Sequence, residues 1–176
     1  TEAPSKENYE ALNAAIVNAP CLQIERGIKY RIRNSERQNA TLYLVANAQG
    51  TTAGELSESA ESQLFSFIPA EKGTWKIASE GEGVFLGATA ARETKTPVVT
   101  TLNEAAAYKV NTSTNGLSAL VCVTPTDASL NALHLAGDCQ RIVPWYATAN
   151  ASLWYIEPTD IATDIQTAEA IMPKAT

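Results

Sequence analysis

The amino-acid sequence predicts an all-β structure built from three similar units. Short segments that alternate apolar and polar residues recur at an interval of 45 residues, beginning at Tyr30, Trp75 and Leu120. Alternation with a period of two is typical of strands that bury one face. Turn residues separate these segments, and a repeat of this length indicates units that must stack on one another to bury their apolar faces. The repeats are expected at residues 27–72, 73–115 and 116–160.

The remaining strands of each unit follow the first in a fixed order. A second apolar anchor lies at residues 42–44, 84–86 and 133–135, and a closing anchor begins at an aromatic residue: Phe65, Tyr108 or Trp154. A third strand is expected around residues 56–58 in the first unit and 98–100 in the second. Asn115 and Gly116 predict a tight hairpin turn between the second and third units. Three units of four strands favour a closed structure, because closure removes exposed sheet edges.

Two segments outside the repeats have helical rather than strand patterns. Residues 7–19 carry apolar residues at helical spacing, with Ser5 before them as a favourable N-cap and Pro20 ending the pattern. Residues 160–172 show a weaker pattern of the same kind before Pro173. We therefore expect short helical segments at 1–22 and 161–176 on either side of a β-domain at 23–160. Alternatively, both segments are linkers to further domains of a longer polypeptide.

The composition disfavours several classes of protein. The 176 residues include 13 basic and 19 acidic side chains, which gives a net charge of −6 and disfavours binding to nucleic acid or to anionic lipid. No apolar run reaches the ~20 residues that a membrane-spanning helix needs. Arg26, Lys29, Arg31 and Arg33 form the densest basic group, and their alternation along a strand indicates a solvated face. We expect no membrane insertion.

Few residues suit catalysis or metal binding. The single histidine, His134, lies between two leucines and is expected to point outward from its strand, without a nucleophile or base beside it in the sequence. Cys21, Cys122 and Cys139 lack the spacing of a metal or redox motif. Either Cys122 and Cys139 form a disulfide, or Cys122 is a small buried residue of a strand. The sequence therefore predicts no enzyme activity, no cofactor and no metal site.

Three units of this length, each closing on an aromatic strand, resemble the ricin-type β-trefoil, a barrel of twelve strands with threefold pseudo-symmetry. The resemblance covers residues 24–158. Each unit of that family tends to carry Gln-x-Trp before its last strand, and the first unit here has Gln63-Leu64-Phe65. The other two units keep an aromatic residue without the glutamine. The resemblance implies a degenerate trefoil. The arrangement of a helix followed by the segment from Gly27 to Asn34 is also similar to secreted or surface proteins of gut Bacteroidetes, which implies a secreted or cell-surface location.

The resemblance also implies a site for carbohydrate. Ricin-type lectins hold sugar in a shallow pocket on each unit, where an aspartate accepts hydrogen bonds from hydroxyl groups, an aromatic ring stacks on the sugar, and an amide completes the polar contacts. The aspartate position corresponds here to Val45, Gly87 and Ala136, none of which has a side-chain acceptor. All three standard pockets therefore lack their carboxylate, and the first two also lack the stacking ring.

The third unit offers a shifted pocket. Asp138 lies two residues beyond the lost carboxylate, Trp145 and Tyr146 stand near the stacking position, and Asn150 precedes the closing strand. These four residues supply a carboxylate, a ring and an amide, and they are the predicted ligand-binding residues. In the alternative interpretation, one of the two aromatic rings packs under a loop and Asp138 caps a turn next to Gly137.

Two non-catalytic functions are compatible with these features. The first is a lectin-like module that binds a glycan at one degenerate site in the third repeat. The second is a protein-interaction or scaffold module that has lost sugar binding, because fold and function separate easily. A protease inhibitor that presents residues 92–97 is a less favoured third alternative.

Overall fold

A computed structural model of the chain describes residues 24–35 and 41–162. The described residues form twelve strands, and every strand pair is antiparallel. The strands are β1 Ile28–Asn34, β2 Tyr43–Asn47, β3 Gly50–Gly54, β4 Phe65–Pro69, β5 Trp75–Ser79, β6 Val84–Leu86, β7 Val98–Val99, β8 Ala107–Thr112, β9 Ser118–Cys122, β10 Ala132–Leu135, β11 Ile142–Trp145 and β12 Leu153–Ala162. Single 3₁₀ turns lie at Glu61–Gln63, Glu71–Gly73 and Asn150–Ser152. The prediction of an all-β structure is confirmed.

Six of the strands close into a ring. Strands β1, β4, β5, β8, β9 and β12 each pair with the next, and β12 returns to β1, where Ile156 lies opposite Ile32. The other six strands form the hairpins β2–β3, β6–β7 and β10–β11, attached to β1, β5 and β9 respectively. Each predicted unit therefore contributes two ring strands and one hairpin, and the ring has no unpaired edge.

Equivalent positions of the three units meet in a shared core. Each unit contributes a leucine from its second strand and an aromatic residue from its closing strand, and all six side chains are fully buried in one cluster: Leu44, Leu86, Leu135, Phe65, Tyr108 and Trp154. A single unit would leave its share of this cluster exposed to water. The hydrophobic effect therefore stabilises the three units together rather than separately.

The loop before the first closing strand is held by Gln63, the glutamine of the predicted motif. Its Nε2 donates to the carbonyl of Glu55 at 2.7 Å, and its Oε1 accepts from the backbone N–H of Ser57 at 3.0 Å. These bonds explain why residues 56–58 are a loop rather than the predicted third strand, which lies earlier, at β3. In the second unit, the third strand lies at Val98–Val99, as expected.

The other predictions at the ends of elements have mixed outcomes. Strands β8 and β9 form the predicted hairpin, with Gly116 in the left-handed region at φ 82°. Strand β12 continues to Ala162, which lies opposite Ile28 of β1, so the start of the expected C-terminal helical pattern is a strand. The predicted helical segment at 1–22 and the rest of the tail lie outside the described residues. No helix within the described residues has the length and apolarity needed to span a bilayer.

Both cysteines within the described residues are free thiols. Cys122 lies in the core cluster, and Cys139 is half-buried and packs against it. Of the two alternatives that the sequence allows for Cys122, the structure therefore shows the small buried strand residue and not the disulfide.

Candidate functional site

A cavity of about 410 Å³ lies in the third unit. It opens between β10, β11 and the 3₁₀ turn that precedes β12, and one part of its wall comes from the loop between β6 and β7 of the second unit. The residues that line it are Glu93, His134, Ala136, Gly137, Val143, Trp145, Ala149, Asn150 and Ala151. Ala136, which stands at the position of the lost aspartate, is among them. The cavity wall thus includes the residue at which the resemblance places the missing carboxylate.

Trp145 provides the aromatic surface of this cavity. It ends β11 opposite Ala132 of β10, and its ring is half-buried. The ring packs against Tyr146 at 5.2 Å and against His134 at 5.7 Å between centroids. The guanidinium of Arg92 lies 5.0 Å from the ring centroid. Arg92 is not among the residues that line the cavity. These neighbours hold the ring in place before any ligand arrives.

His134, expected to point outward from its strand, lines the cavity but is covered. The side chain is 7 % exposed, and its Nδ1 forms a 2.9 Å hydrogen bond with Oγ of Ser152. The 3₁₀ turn at Asn150–Ser152 covers the face of β10 that strand alternation would leave open to water. Because Ser152 holds one ring nitrogen, the imidazole has a fixed orientation in the cavity wall.

Asp138 lies in the turn between β10 and β11 and does not line the cavity. One oxygen accepts from the backbone N–H groups of Gln140 at 2.9 Å and Arg141 at 3.0 Å, and the other accepts from Nε of Arg141 at 2.6 Å. The backbone bond from Arg141, followed by its side-chain bond, lowers the pKa of the Asp138 carboxyl to about 2. Asp138 thus has the turn-capping contacts of the alternative interpretation.

Arg141 connects this turn to the second unit. Its Nη1 donates to the carbonyl of Glu93 at 2.9 Å, and its Nη2 lies 3.5 Å from Oε2 of the same residue. Glu93 lines the cavity with its backbone in the left-handed region at φ 64°. The sequence analysis missed Glu93 as a site residue because it comes from another unit, about forty positions before the rest of the third-unit site.

The structure brings together two of the four predicted ligand-binding residues. Trp145 and Asn150 both line the cavity, and Asn150 is held from the first unit by Oγ of Ser35, which donates to its carbonyl at 2.9 Å. Tyr146 is 50 % exposed and reaches the site through its edge contact with Trp145. Asp138 reaches it through Arg141. The cavity wall thus combines a tryptophan, an asparagine, a histidine and a glutamate.

A second concave surface, the lysine groove, lies on the outside of the ring. It has a volume of about 720 Å³ and is lined by Ile68, Pro69, Ala70, Glu71, Lys72, Thr74, Lys76, Leu102, Asn103, Ala107, Lys109 and Val123. Its strand residues alternate with core residues and therefore face outward. Leu102 and Val123 are 41 % and 39 % exposed, and three of the lining side chains are lysines. The groove combines apolar surface with positive charge.

The described residues contain no group of three or more His, Cys, Asp or Glu side chains arranged to hold a metal ion. The candidate site is therefore a cavity of hydrogen-bonding and aromatic groups. Its position on the fold can be compared directly with known proteins.

Many solved structures share this architecture. One described as the BEL β-trefoil matches with a TM-score of 0.61 and 12% identity, over 80% of this chain and 99% of that one. The fold is a β-trefoil. The ricin B-like lectin of Macrolepiota procera, solved with lactose, matches with a TM-score of 0.57 and 19% identity, over 78% of this chain and 100% of the lectin.

The trefoil also occurs inside larger proteins. An endo-β-galactosidase from Clostridium perfringens that releases GlcNAcα1-4Gal matches with a TM-score of 0.57 and 14% identity, over 76% of this chain but 33% of the enzyme. No protein-family model matches the sequence, and no curated protein matches it. At these identities, the likeness establishes the fold, with ricin B-like lectins among the neighbours, and leaves the ligand to be argued from the site.

Proposed function

We propose that this β-trefoil is a non-catalytic carbohydrate-binding module with one degenerate site in its third unit. The observation that supports the proposal is the cavity in the third unit, which Ala136, Trp145 and Asn150 line. An aromatic ring covers the C–H face of a sugar, and an amide both donates hydrogen bonds to hydroxyl groups and accepts them. Tyr146 supports the ring, and Asp138 belongs to the site through Arg141.

Weak binding of one glycan per chain follows from this site. The first two units lack both the carboxylate and the ring at the matching positions. With one site per chain, the module cannot bind multivalently. Avidity would therefore have to come from other parts of a longer protein. The lectin neighbour solved with lactose supports a glycan as the partner.

The same proposal includes the context of the module. A neighbouring mosquitocidal holotoxin is matched over 18% of its chain, so the trefoil can serve as one part of a larger polypeptide. We extend this to a secreted or cell-surface protein in which the trefoil contributes glycan binding and no catalysis. His134 Nδ1 bonds to Oγ of Ser152, but this serine is 0 % exposed and so out of reach of a substrate, which supports the non-catalytic role.

A glycan array followed by titration of the hits tests the proposal. Wild-type protein is expected to bind at least one glycan, and Trp145→Ala is expected to weaken that binding at least tenfold while leaving the far-UV circular dichroism spectrum intact. Leu56→Ala is a suitable control, because Leu56 is 45 % exposed and lies in the first unit. Failure of the folded wild-type protein to bind any glycan would contradict the proposal.

The lysine groove favours a second candidate function, the binding of an acidic segment of a partner protein. Lys72, Lys76 and Lys109 surround exposed apolar surface in a protein whose net charge is −6. Charge complementarity therefore selects an acidic peptide with apolar residues at alternate positions. A labelled peptide of alternating Glu and Leu is expected to bind more weakly in high salt and to the Lys72→Glu, Lys109→Glu double variant. Equal binding by that variant and by a Lys95→Glu control would show that the peptide does not bind in the lysine groove.

Protease inhibition has less support from the structure. Residues 92–97 do not form a freely extended loop, since Thr94 N–H donates back to the carbonyl of Ala91 at 3.0 Å. The N–H of the fully buried Thr96 also donates to the carbonyl of Ile142 at 2.8 Å. Inhibition of trypsin by the intact protein would restore this alternative.

A further inference from the structure

We infer that Glu93, supplied by the second unit, replaces the carboxylate that the third unit lacks at Ala136, and that the ligand is a neutral sugar with two adjacent free hydroxyl groups. The inference rests on the proposed function and makes it more specific. It assigns to the site a residue that no pattern within the third unit indicates.

Glu93 and Ala136 line the same cavity. Ala136 stands where a trefoil lectin would have its carboxylate, and a methyl group cannot accept a hydrogen bond from a hydroxyl group. Glu93 comes from the loop between β6 and β7, its side chain is 57% exposed, and its Oε2 lies 3.5 Å from Nη2 of Arg141. Because this side chain is largely exposed, a ligand can reach it directly from solvent. The loss within one unit is thus compensated by a loop of its neighbour.

The backbone at Glu93 is held in an uncommon conformation. Its φ of 64° lies in the left-handed region, which costs a residue with a Cβ free energy relative to glycine. Arg141 donates to the Glu93 carbonyl at 2.9 Å, and the bond from Thr94 N–H to Ala91 closes the turn around it. A solubilising surface glutamate needs none of these contacts. They hold the backbone at Glu93 in a defined position in the cavity wall.

Asp138 acts on Glu93 through Arg141 and is a positioning residue. Its Oδ2 accepts from Nε of Arg141 at 2.6 Å, and this bond orients the guanidinium whose Nη1 and Nη2 face Glu93. Ion pairs this exposed contribute little to stability. Their geometry matters for binding instead, because the planar guanidinium of Arg141, oriented by Asp138, limits the positions that the Glu93 carboxylate can take.

The chemistry of this arrangement selects the ligand class. The two oxygens of a carboxylate can accept hydrogen bonds from two adjacent hydroxyl groups, and such charge-assisted bonds are stronger than neutral ones. Trp145 covers the C–H face of the same sugar. A uronic acid would bring a second negative charge beside Glu93, and like charges repel. A neutral hexose is therefore favoured over its uronic acid.

Titration of isotopically labelled protein by NMR tests this assignment, with lactose and mannose as neutral probes and glucuronic acid as the charged one. Glu93→Gln is expected to weaken binding of the neutral sugar roughly tenfold to a hundredfold. Glu93→Gly is the sharper variant, because glycine adopts a positive φ readily and the fold should be retained while the carboxylate is lost. Glu82→Gln, in the exposed turn between β5 and β6, is the matched control and should bind as wild type does.

The positioning role of Asp138 is tested by a double-mutant cycle. Asp138→Asn is expected to weaken binding when Glu93 is present and to have no further effect in the Glu93→Gly protein. A purely structural role would produce the same loss in both backgrounds.

The outcomes separate the two proposals. Binding that is lost in Trp145→Ala but unchanged in Glu93→Gly would overturn this inference and leave the lectin role standing. Tighter binding of glucuronic acid than of both neutral sugars would also overturn it. If wild-type protein binds no sugar of the array or of this panel, the lectin role and the Glu93 assignment fail together.

Discussion

Two neighbouring threonines, Thr51 and Thr96, have fully buried side chains with different hydrogen bonding. Oγ1 of Thr51 donates to the carbonyl of Thr96 at 2.7 Å. Oγ1 of Thr96 has no hydrogen-bond partner within the part of the chain that the structure describes. A buried hydroxyl group stabilises the fold only when it is paired. The two residues therefore form a matched pair for measuring the contribution of one hydrogen bond.

Replacement of each threonine by valine should have opposite consequences. Thr51→Val removes a donor and leaves the Thr96 carbonyl without it, so the free energy of unfolding should fall by about 1 kcal/mol. Thr96→Val removes an unpaired hydroxyl group at nearly constant volume and should leave stability unchanged or raise it. Urea denaturation measures both. A larger loss for Thr96→Val would contradict this account.

The carboxyl group of Asp138 should make stability depend on pH at the acidic end. Its pKa is lowered from the usual 3.8 to about 2, so the folded protein favours the ionised form. The resulting stabilisation is fully present above the usual pKa and is lost as the pH falls through about 2. Asp138→Asn should therefore be less stable than wild type at pH 7, and the difference should disappear near pH 2.

An NMR titration of the Asp138 carboxyl carbon measures this pKa directly. Arg141→Gln removes the side-chain donor and should move the titration midpoint back toward its usual value while the two backbone bonds retain part of the shift. A wild-type midpoint near 4 would show that these bonds do not form in solution.

Single side chains show why the sequence predicted the site only in part. Trp145 and Asn150 were identified because they lie at positions fixed by the closing strand and the repeat. Glu93 was missed because its place in the cavity depends on a loop conformation and on Arg141, neither of which has a local sequence pattern. The burial of His134 was missed for a similar reason. Strand alternation predicts two faces but not which face a 3₁₀ turn will cover.

The segments that precede the three closing strands differ in their polar contacts. Gln63 ties the loop before β4 with two hydrogen bonds, Ser152 binds His134 before β12, and Ala106 stands at the matching place before β8. The aromatic residue two positions later is fully buried in every unit. The aromatic residues thus serve the common core, while the residue before each strand serves its own loop. The spacing of the aromatic residues predicted that they are buried in the core. The polar contacts of the loops were not predicted, because two of the three units lack the glutamine of the Gln-x-Trp motif.

Gln63→Ala should destabilise the first unit's loop and, with it, the protein. Gln63 is 4 % exposed, and its loss would leave the N–H of Ser57 and the carbonyl of Glu55 without their partners. We expect the free energy of unfolding to fall by about 2 kcal/mol. Hydrogen exchange should also speed up at Ser57. Gln49→Ala, in the exposed turn between β2 and β3, is the control, and an equal loss in both variants would refute the role of Gln63.

Ring closure links the fold to the cooperativity of the molecule. The period of 45 residues correctly predicted that the three units share one core, because only stacked units can bury anchors repeated in this way. The pairing of β1 with β12 joins the first unit to the third, so each unit borders both of the others. The sequence could not give the true extent of β12, since this depends on its pairing with β1.

A matched series of core variants tests whether the three units unfold as one. Leu44, Leu86 and Leu135 occupy the same place in successive units and are each 0 % exposed. Truncation to alanine at any of them should cost about 2–5 kcal/mol of stability. Because the core is shared, Leu44→Ala in the first unit should lower the denaturation midpoint by as much as Leu135→Ala does when the midpoint is read from Trp154 fluorescence in a Trp75→Phe, Trp145→Phe background. Leu56→Ala, at an exposed position, should change the midpoint little. Separate transitions, in which only the mutated unit loses its hydrogen-exchange protection, would show instead that the units are independent and that closure of the ring does not couple them.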